Sequence, residues 1–454
     1  MRLNRIAAAC SIALATSLAA SPAQANALLD AYQKALSNDK TLQAAEFQRD
    51  ALLEARPQAR AAYLPQIGAQ GSITQQDSNS TFSSAQFGAG NSSQTQSTKS
   101  TKNAYSVSLT QALFNWEAIQ RLRQSTDQIA LAETSYRAAQ QTLILRVAQA
   151  YFNVLAAADN LQFSIAENTA VGRQLEQSKQ RFDVGLSAIT DVQEAQSRYD
   201  LTVAQQIDAD TALASAKRVL TTITASDDAL TGLREDLPLT GPDPDTPATW
   251  IEAARRDNLS VLAARLVADI AKTDIKAVRA KHLPTLSIEA GYSSSDASDT
   301  KINGNSAPST NDGTSVALVA RLPIFAGGAV QSGVRAASST YAQRTAEFEN
   351  ATRTAERQTG DAYQGVLAGI SRVKAYKQAV LSTKTALEAS EVGLQVGART
   401  SIDVLNAQRE VSNAERTYSR ARYDYLLAIL SLKQSAGRLN EADLAEIDRV
   451  LNGS

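Results

Sequence analysis

Two periods of apolar and polar residues run along the chain. The shorter is a period of two. Ile67, Ala69, Gly71 and Ile73 alternate with Gln66, Gly68, Gln70, Ser72 and Thr74. Leu286, Ile288, Ala290 and Tyr292 alternate in the same way with Thr285, Ser287, Glu289 and Gly291. A second set follows each of these. Tyr105, Val107, Leu109 and Gln111 alternate with Ser106, Ser108 and Thr110, and Val316, Leu318, Ala320 and Leu322 with Ala317, Val319 and Arg321. Successive side chains of a strand point to opposite faces, so four strands are predicted, each with an apolar face and a small or polar one. They form two hairpins, at about 66–113 and about 285–325. Between the strands, Asp77–Lys102 and Ser293–Thr314 are built of small polar residues and read as long flexible tips.

The longer period is seven. Leu122, Ile129, Tyr136, Leu143 and Ala150 form one seam, and Val154, Leu161, Asn168, Leu175 and Phe182 another. The second seam has a mate 212 residues later at Val366, Val373, Val380, Leu387 and Leu394. Neither Trp116–Phe182 nor Ser332–Leu394 contains proline. Heptads of this length predict coiled-coil packing of helices roughly 100 Å long. The same offset relates VGLSAITDVQEAQ (Val184–Gln196) to VGARTSIDVLNAQ (Val396–Gln408). Gly185 and Gly397 stand where a helix ends on a left-handed residue. Val184, Gly185 and Leu186, like Val396, Gly397 and Ala398, are therefore read as the turns of two long helical hairpins, about 116–224 and about 330–435.

An Ala-rich helical segment precedes each strand hairpin, Ala27–Ala62 and Thr249–Lys281, closed by Leu64-Pro65 and Leu283-Pro284. The chain thus divides into two structural repeats, 26–236 and 251–438, joined by a Pro-rich linker at 237–250 and followed by a polar C-terminal tail at 439–454.

Four strands cannot close a barrel wide enough to conduct solutes, and open sheet edges are not tolerated in lipid. Three chains would supply twelve strands, which suits an outer-membrane barrel. Two soluble hairpins packed on helices are the alternative. Residues 1–25 read as a signal peptide: Arg2 and Arg5, an apolar run from Ile6 to Ala20, and Ala23-Gln24-Ala25 as the cleavage site, so that the mature chain begins at Asn26. Ala7-Ala8-Ala9 precedes the single cysteine, Cys10, without the leucine of a lipoprotein signal. No mature stretch has 18 uninterrupted apolar residues, so no transmembrane helix is expected.

Composition then removes several kinds of chemistry. Cys10 falls within the signal peptide and His282 is the only histidine, which argues against zinc, haem and Cys/His nucleophiles. No cofactor or metal is expected. His282, at a helix end, suits the C-terminal carbonyls rather than a ligand set. With 45 basic and 46 acidic residues the chain lacks an electrostatic footprint for nucleic acid. No cluster of titratable groups suggests an enzyme.

Three stretches are the most specific: RFDVGLSAITDVQEAQSRYD (Arg181–Asp200), VGARTSIDVLNAQ, and ARYDYLLAILSLKQSAGRL (Ala421–Leu439). With the paired hairpins they resemble the outer-membrane efflux proteins, the TolC-like channel-tunnels, over essentially the whole mature chain. The resemblance implies a mainly α fold with β. A membrane β-barrel, four strands per chain and twelve per trimer, is continued by a long coiled-coil α-helical barrel. It implies a homotrimer in outer-membrane lipid that extends into the periplasm. There it would meet a periplasmic adaptor and an inner-membrane ABC or proton-driven pump, as the exit duct for secreted proteins or drugs. Without lipidation at Cys10, the non-lipidated exporters, including type I secretion partners, fit better.

The resemblance also implies a gate at the periplasmic tip. Thr190 and Asp191 match its acceptor side, Arg399 its basic link to a neighbouring helix, and Asp403 an aspartate ringing the narrowest point. Leu394 stands where the family has a linking tyrosine, and Asn406 where it has a second aspartate. A single carboxylate ring and a weaker latch are expected. Thr400-Ser401-Ile402-Asp403 is equally a helix-start pattern, and capping is the competing reading for Asp403, Thr190 and Asp191. Phe114, Trp116 and Phe325 suit either an aromatic girdle or packing at the strand–helix joint. The alternative for the whole chain is a soluble periplasmic coiled-coil adaptor or scaffold, which would not need the four alternating strands.

Overall fold

The structure, a computed structural model, describes residues 27–86, 89–227, 230, 232 and 237–452. The signal peptide, Cys10 and the expected mature terminus at Asn26 lie outside them. Helices α1 (Ala27–Asn38), α2 (Lys40–Leu53) and α3 (Ala55–Ala61) lead into strands β1 (Gln66–Gln86) and β2 (Ala89–Phe114). Helices α4 (Trp116–Asp183) and α5 (Ile189–Thr224) follow. After residues 237–246, α6 (Pro247–Asp257), α7 (Leu259–Arg279) and one 3-10 turn lead into β3 (Thr285–Ala297), β4 (Lys301–Ile302), β5 (Asn305–Ser306) and β6 (Ser309–Arg321). The chain ends with α8 (Ala329–Gln395), α9 (Ser401–Ser435) and α10 (Glu441–Asn452).

Pairing of β2 with β3 merges the two expected hairpins into one antiparallel sheet, with the long strands in the order β1-β2-β3-β6. Register brings the apolar positions together. Ile67 faces Leu109, Leu109 faces Ala290 and Ala290 faces Val316, while Ala69 faces Val107 and Val107 faces Tyr292. Directly opposite residues share a face, so these side chains form one continuous apolar surface. That surface is bare: Ile73 and Val316 are each 80 % exposed and Leu318 66 %. The opposite face carries Gln, Ser and Gly and an ion pair at 2.7 Å between Arg321 and Glu289. β1 and β6 are the edges, each with a long-strand partner on one side only.

The polar tips are not the flexible loops expected. β1 and β2 stay in register from Gln66/Thr110 to Ser84/Ser92, and Asp77 meets Lys99 directly across the ladder at 3.4 Å. A strand surrounded by water on both faces has no alternation to display, yet its backbone groups still pair. With 21 residues β1 is roughly 70 Å long, well beyond the 9–11 residues that cross a membrane. In the second hairpin β3 runs to Ala297 and β6 starts at Ser309, so only the short strands β4 and β5 lie between them in the expected loop. β6 stops at Arg321, so Leu322 falls outside it, before Pro323.

The expected opening helices are each broken at an Asx residue. The Asp39 side chain accepts the N–H of Leu42, and that of Asn258 accepts those of Ser260 and Val261, so each caps a new helix. α4 has 68 residues and α8 has 67, about 100 Å each. α5 and α9 run back along only half of that length, and α7 packs between the remaining parts of α4 and α8. The heptad seams are buried at Leu143, Ala150, Val154, Leu175, Val366, Val373 and Leu394. Phe182, in the last turn of α4, is exposed instead.

The largest core forms a belt around the middle of the long helices. Leu143, Tyr151 and Phe152 of α4 meet Tyr423, Tyr425 and Leu430 of α9, with α1, Trp250 of α6 and α10 packed outside. Residues 237–246 are tied to this belt. The Tyr425 hydroxyl accepts the N–H of Thr240 and donates to its carbonyl, and Tyr363 donates to Asp245. The expected linker therefore ends at Thr246, because Pro247–Trp250 open α6. The expected polar tail is the helix α10, whose Leu444, Ile447 and Leu451 are buried in the belt. Its Asp448 carboxylate accepts the N–H groups of Leu28 and Leu29, capping α1 across some 420 residues of sequence.

Candidate functional site: the tips of the helical hairpins

Each long helix ends on a glycine in the left-handed region. Gly185 has φ 77° and Gly397 φ 79°. Leu186 donates its N–H to Arg181 and Gly185 to Phe182, while Ala398 donates to Gly393 and Gly397 to Leu394. This paired pattern satisfies the last carbonyls of a helix and requires a residue without Cβ strain. Val184, Leu186 and Val396 project from the turns about 70 % exposed. Apolar side chains that stand free at a helix tip are suited to contact another surface.

The second turn starts α9 with a full capping box. Thr400 Oγ1 accepts the N–H of Asp403 at 3.2 Å, and Asp403 Oδ2 accepts the Thr400 N–H and hydroxyl, both at 2.9 Å. Arg399 Nη1 lies 4.0 Å from Asp403 Oδ1. The Thr400 N–H, then its hydroxyl, then the Arg399 charge hold the Asp403 carboxyl below the usual aspartate range. Within the single chain Arg399, which precedes α9, lies at the limit of ion-pair distance from Asp403 in the first turn of that helix. An i, i+4 partner is already in reach.

The first turn is built differently. Its N-cap is Ala188, which brings no side-chain acceptor, and Asp191 donates its N–H to the Ala188 carbonyl. No N-cap side chain holds this turn, and Asp191 lies in the first turn of α5, where its charge suits the helix dipole. Thr190 is exposed and Asp191 half-buried. Leu394 is buried in the last turn of α8. Asn406 Oδ1 accepts from Arg198 of α5 at 3.5 Å, an interaction that joins the two hairpins.

Several side chains near the tips were not singled out in the sequence. Ser401 accepts from Gln174 at 3.1 Å and lies 3.2 Å from Ser178 Oγ, tying α4 to the start of α9. Val171, Leu175, Ala195 and Leu405 form a small apolar core beside them. Further up, Arg416 of α9 pairs at 2.7 Å with the nearly buried Glu167 of α4, and Asp159 accepts from Ser419 and Tyr423. Only the heptad position of Leu175 signalled any of this. The polar ties are single residues on otherwise unremarkable helix faces. Of the expected gate residues, Arg399 and Asp403 come together, Asn406 lies one turn on, and Thr190 and Asp191 sit on the other hairpin.

At the strand–helix joint, Phe114 stacks on Trp116 with centroids 6.5 Å apart, and Phe325 is exposed. Among the described residues no group of three His, Cys, Asp or Glu side chains is placed to hold a metal ion, and no helix is long and apolar enough to cross a membrane.

A sheet with a bare apolar face, continued by helices about 100 Å long, defines the class: a channel-forming outer-membrane protein. The profile described as outer membrane efflux protein matches residues 31–226 and 250–438. The outer membrane protein TolC of Vibrio cholerae is 36 % identical over 93 % of this chain and 93 % of its own length. The proteases secretion protein PrtF of Dickeya chrysanthemi is 30 % identical over 95 % and 92 %. A crystal structure of a membrane protein from Pseudomonas aeruginosa superposes with a TM-score of 0.74 at 22 % identity, covering 92 % of this chain and 91 % of that one. The chain belongs to the outer membrane efflux protein family. It is a transporter of the outer membrane that reaches into the periplasm, rather than an enzyme.

Proposed function

We propose that three copies of the chain assemble into a closed twelve-stranded barrel continued by a helical tunnel. This trimer is the exit duct of a tripartite export system. The observation that carries the reading is the sheet: a continuous apolar face with open edges at β1 and β6. In lipid such edges must be paired, and β1 of one copy against β6 of the next would do so without new sequence. A soluble adaptor or scaffold would have no use for that face. The two segments 26–236 and 251–438 are read as structural repeats, each giving two long strands and one helical hairpin to the wall.

A periplasmic adaptor would dock on the exposed Val184, Leu186, Val396 and Ala398 of the turns, with an inner-membrane ABC or proton-driven pump beneath it. The protease secretion protein among the relatives favours protein secretion, which we read as type I, with drug efflux as the second cargo class. At the tip, three copies of Asp403 form a negative ring that favours cations. Arg399 and the Thr190/Asp191 pair hold the tip shut through individually weak contacts, and Leu394 and Asn406 add no charge to them. Adaptor docking shifts such a balance toward the open state.

Conductance of the purified channel in planar bilayers tests the ring. Asp403→Ala is expected to lower cation selectivity and relieve block by multivalent cations. Unchanged values for both would remove Asp403 from the constriction.

A further inference from the structure

We propose that Gly393 is a positioning residue of the gate: its missing side chain is the seat that holds Arg399 against Asp403. The inference rests on the gate reading above and adds a residue to it. Gly393 lies in the last turns of α8, where any residue of good helix propensity would be favoured over glycine. Its backbone does not demand glycine, since it is absent from the left-handed positions that Gly185 and Gly397 occupy. The demand is for space. A Cβ at Gly393 would lie 2.6 Å from Arg399 Cγ and 3.2 Å from Arg399 Cβ, so the root of the arginine, not its flexible end, fills the place of a side chain. Arg399 cannot escape by moving its backbone at no cost. Its N–H donates to the Gly393 carbonyl at 3.1 Å, and the Ala398 N–H donates to the same oxygen at 2.8 Å.

The seat fixes where the guanidinium goes. From it, Arg399 reaches Asp403 Oδ1 at 4.0 Å, while the other carboxylate oxygen is held by Thr400. A methyl group at position 393 therefore swings Arg399 off its seat and leaves Asp403 with its cap but without its cation. The same displacement withdraws Arg399 from any acceptor across the tip.

Four proteins decide the matter in planar bilayers: wild type, Gly393→Ala, Arg399→Ala and the double variant. Gly393→Ala favours the helix, so a folded channel is expected. It should raise the closed-state conductance several-fold, toward that of Arg399→Ala, and change the cation-to-anion permeability ratio in the same direction. The double variant should stay close to Arg399→Ala, because the 2.6 Å clash is with Arg399 Cγ, which alanine lacks, and only the milder 3.2 Å contact to Cβ remains. Wild-type conductance in Gly393→Ala alongside a leaky Arg399→Ala overturns the seat and leaves the gate reading intact. An additive double variant also overturns it. Wild-type conductance in Arg399→Ala removes the gate reading, and the seat with it.

Discussion

Asp403 directs one carboxylate oxygen to Thr400 and the other toward Arg399, so a local cap and the reading of a gate meet in one side chain. Its pH behaviour follows. The Thr400 N–H, the Thr400 hydroxyl and Arg399 stabilise the charged form and depress the carboxyl below the usual value of about 3.9. A depressed folded value means the stabilisation is present above the unfolded value and is lost as pH falls through the folded one. Within one chain these contacts keep Asp403 charged through neutral pH, while the like charges of a threefold ring push its midpoint back up, so selectivity should be full at neutral pH and be lost on acidification. Thr400→Ala removes the hydroxyl contact and moves that midpoint upward. Measurement of reversal potential against pH checks the shift; a Thr400→Ala midpoint that is unchanged or lower than wild type contradicts the cap. At this scale the sequence was readable where chemistry left one choice. Gly185 and Gly397 could be placed because a left-handed helix end excludes most other residues. The Thr400 cap of Asp403 was legible in the same way, from the S/T-x-x-D pattern at 400–403.

Elements were legible in proportion to how asymmetric their surroundings are. The apolar half of each long strand alternates because one face is bare and apolar. The polar half does not alternate, so Ser293–Ala297 and the span from Asp77 to Ser84 looked like loop although their backbones pair. The breaks at Asp39 and Asn258 were written as Asx caps inside runs that otherwise read as single helices. α10 was missed because its charges hide three apolar positions, Leu444, Ile447 and Leu451, at spacings of three and four that put them on one face. Its Asp448 is fully buried with two backbone donors, and burial pushes its carboxyl up against their pull. Asp448→Ala leaves both N–H groups of α1 uncapped and should cost about 2 kcal/mol. The expected signs are faster proteolysis near the N-terminus and a lower unfolding temperature, with channel conductance unchanged. Wild-type protease resistance would mean that α10 does not clamp α1.

For the whole molecule, offsets of 212 residues were enough to anticipate two long helical hairpins, and these are present as α4/α5 and α8/α9. What the offset could not convey is that β2 pairs with β3, so that the four long strands form one sheet with two edges rather than two separate hairpins. Pairing between strands some 200 residues apart leaves no local trace. The sheet also makes the demand on which the functional reading depends. A single chain whose apolar face stood in lipid could not cover its own edges, so the proposed export duct stands or falls with assembly. The most direct measurement is the native mass of the protein extracted in mild detergent from an outer-membrane fraction, with the detergent contribution subtracted. The account predicts a stable particle of three mature chains. A single chain or a dimer, or recovery in the soluble periplasmic fraction, would contradict it.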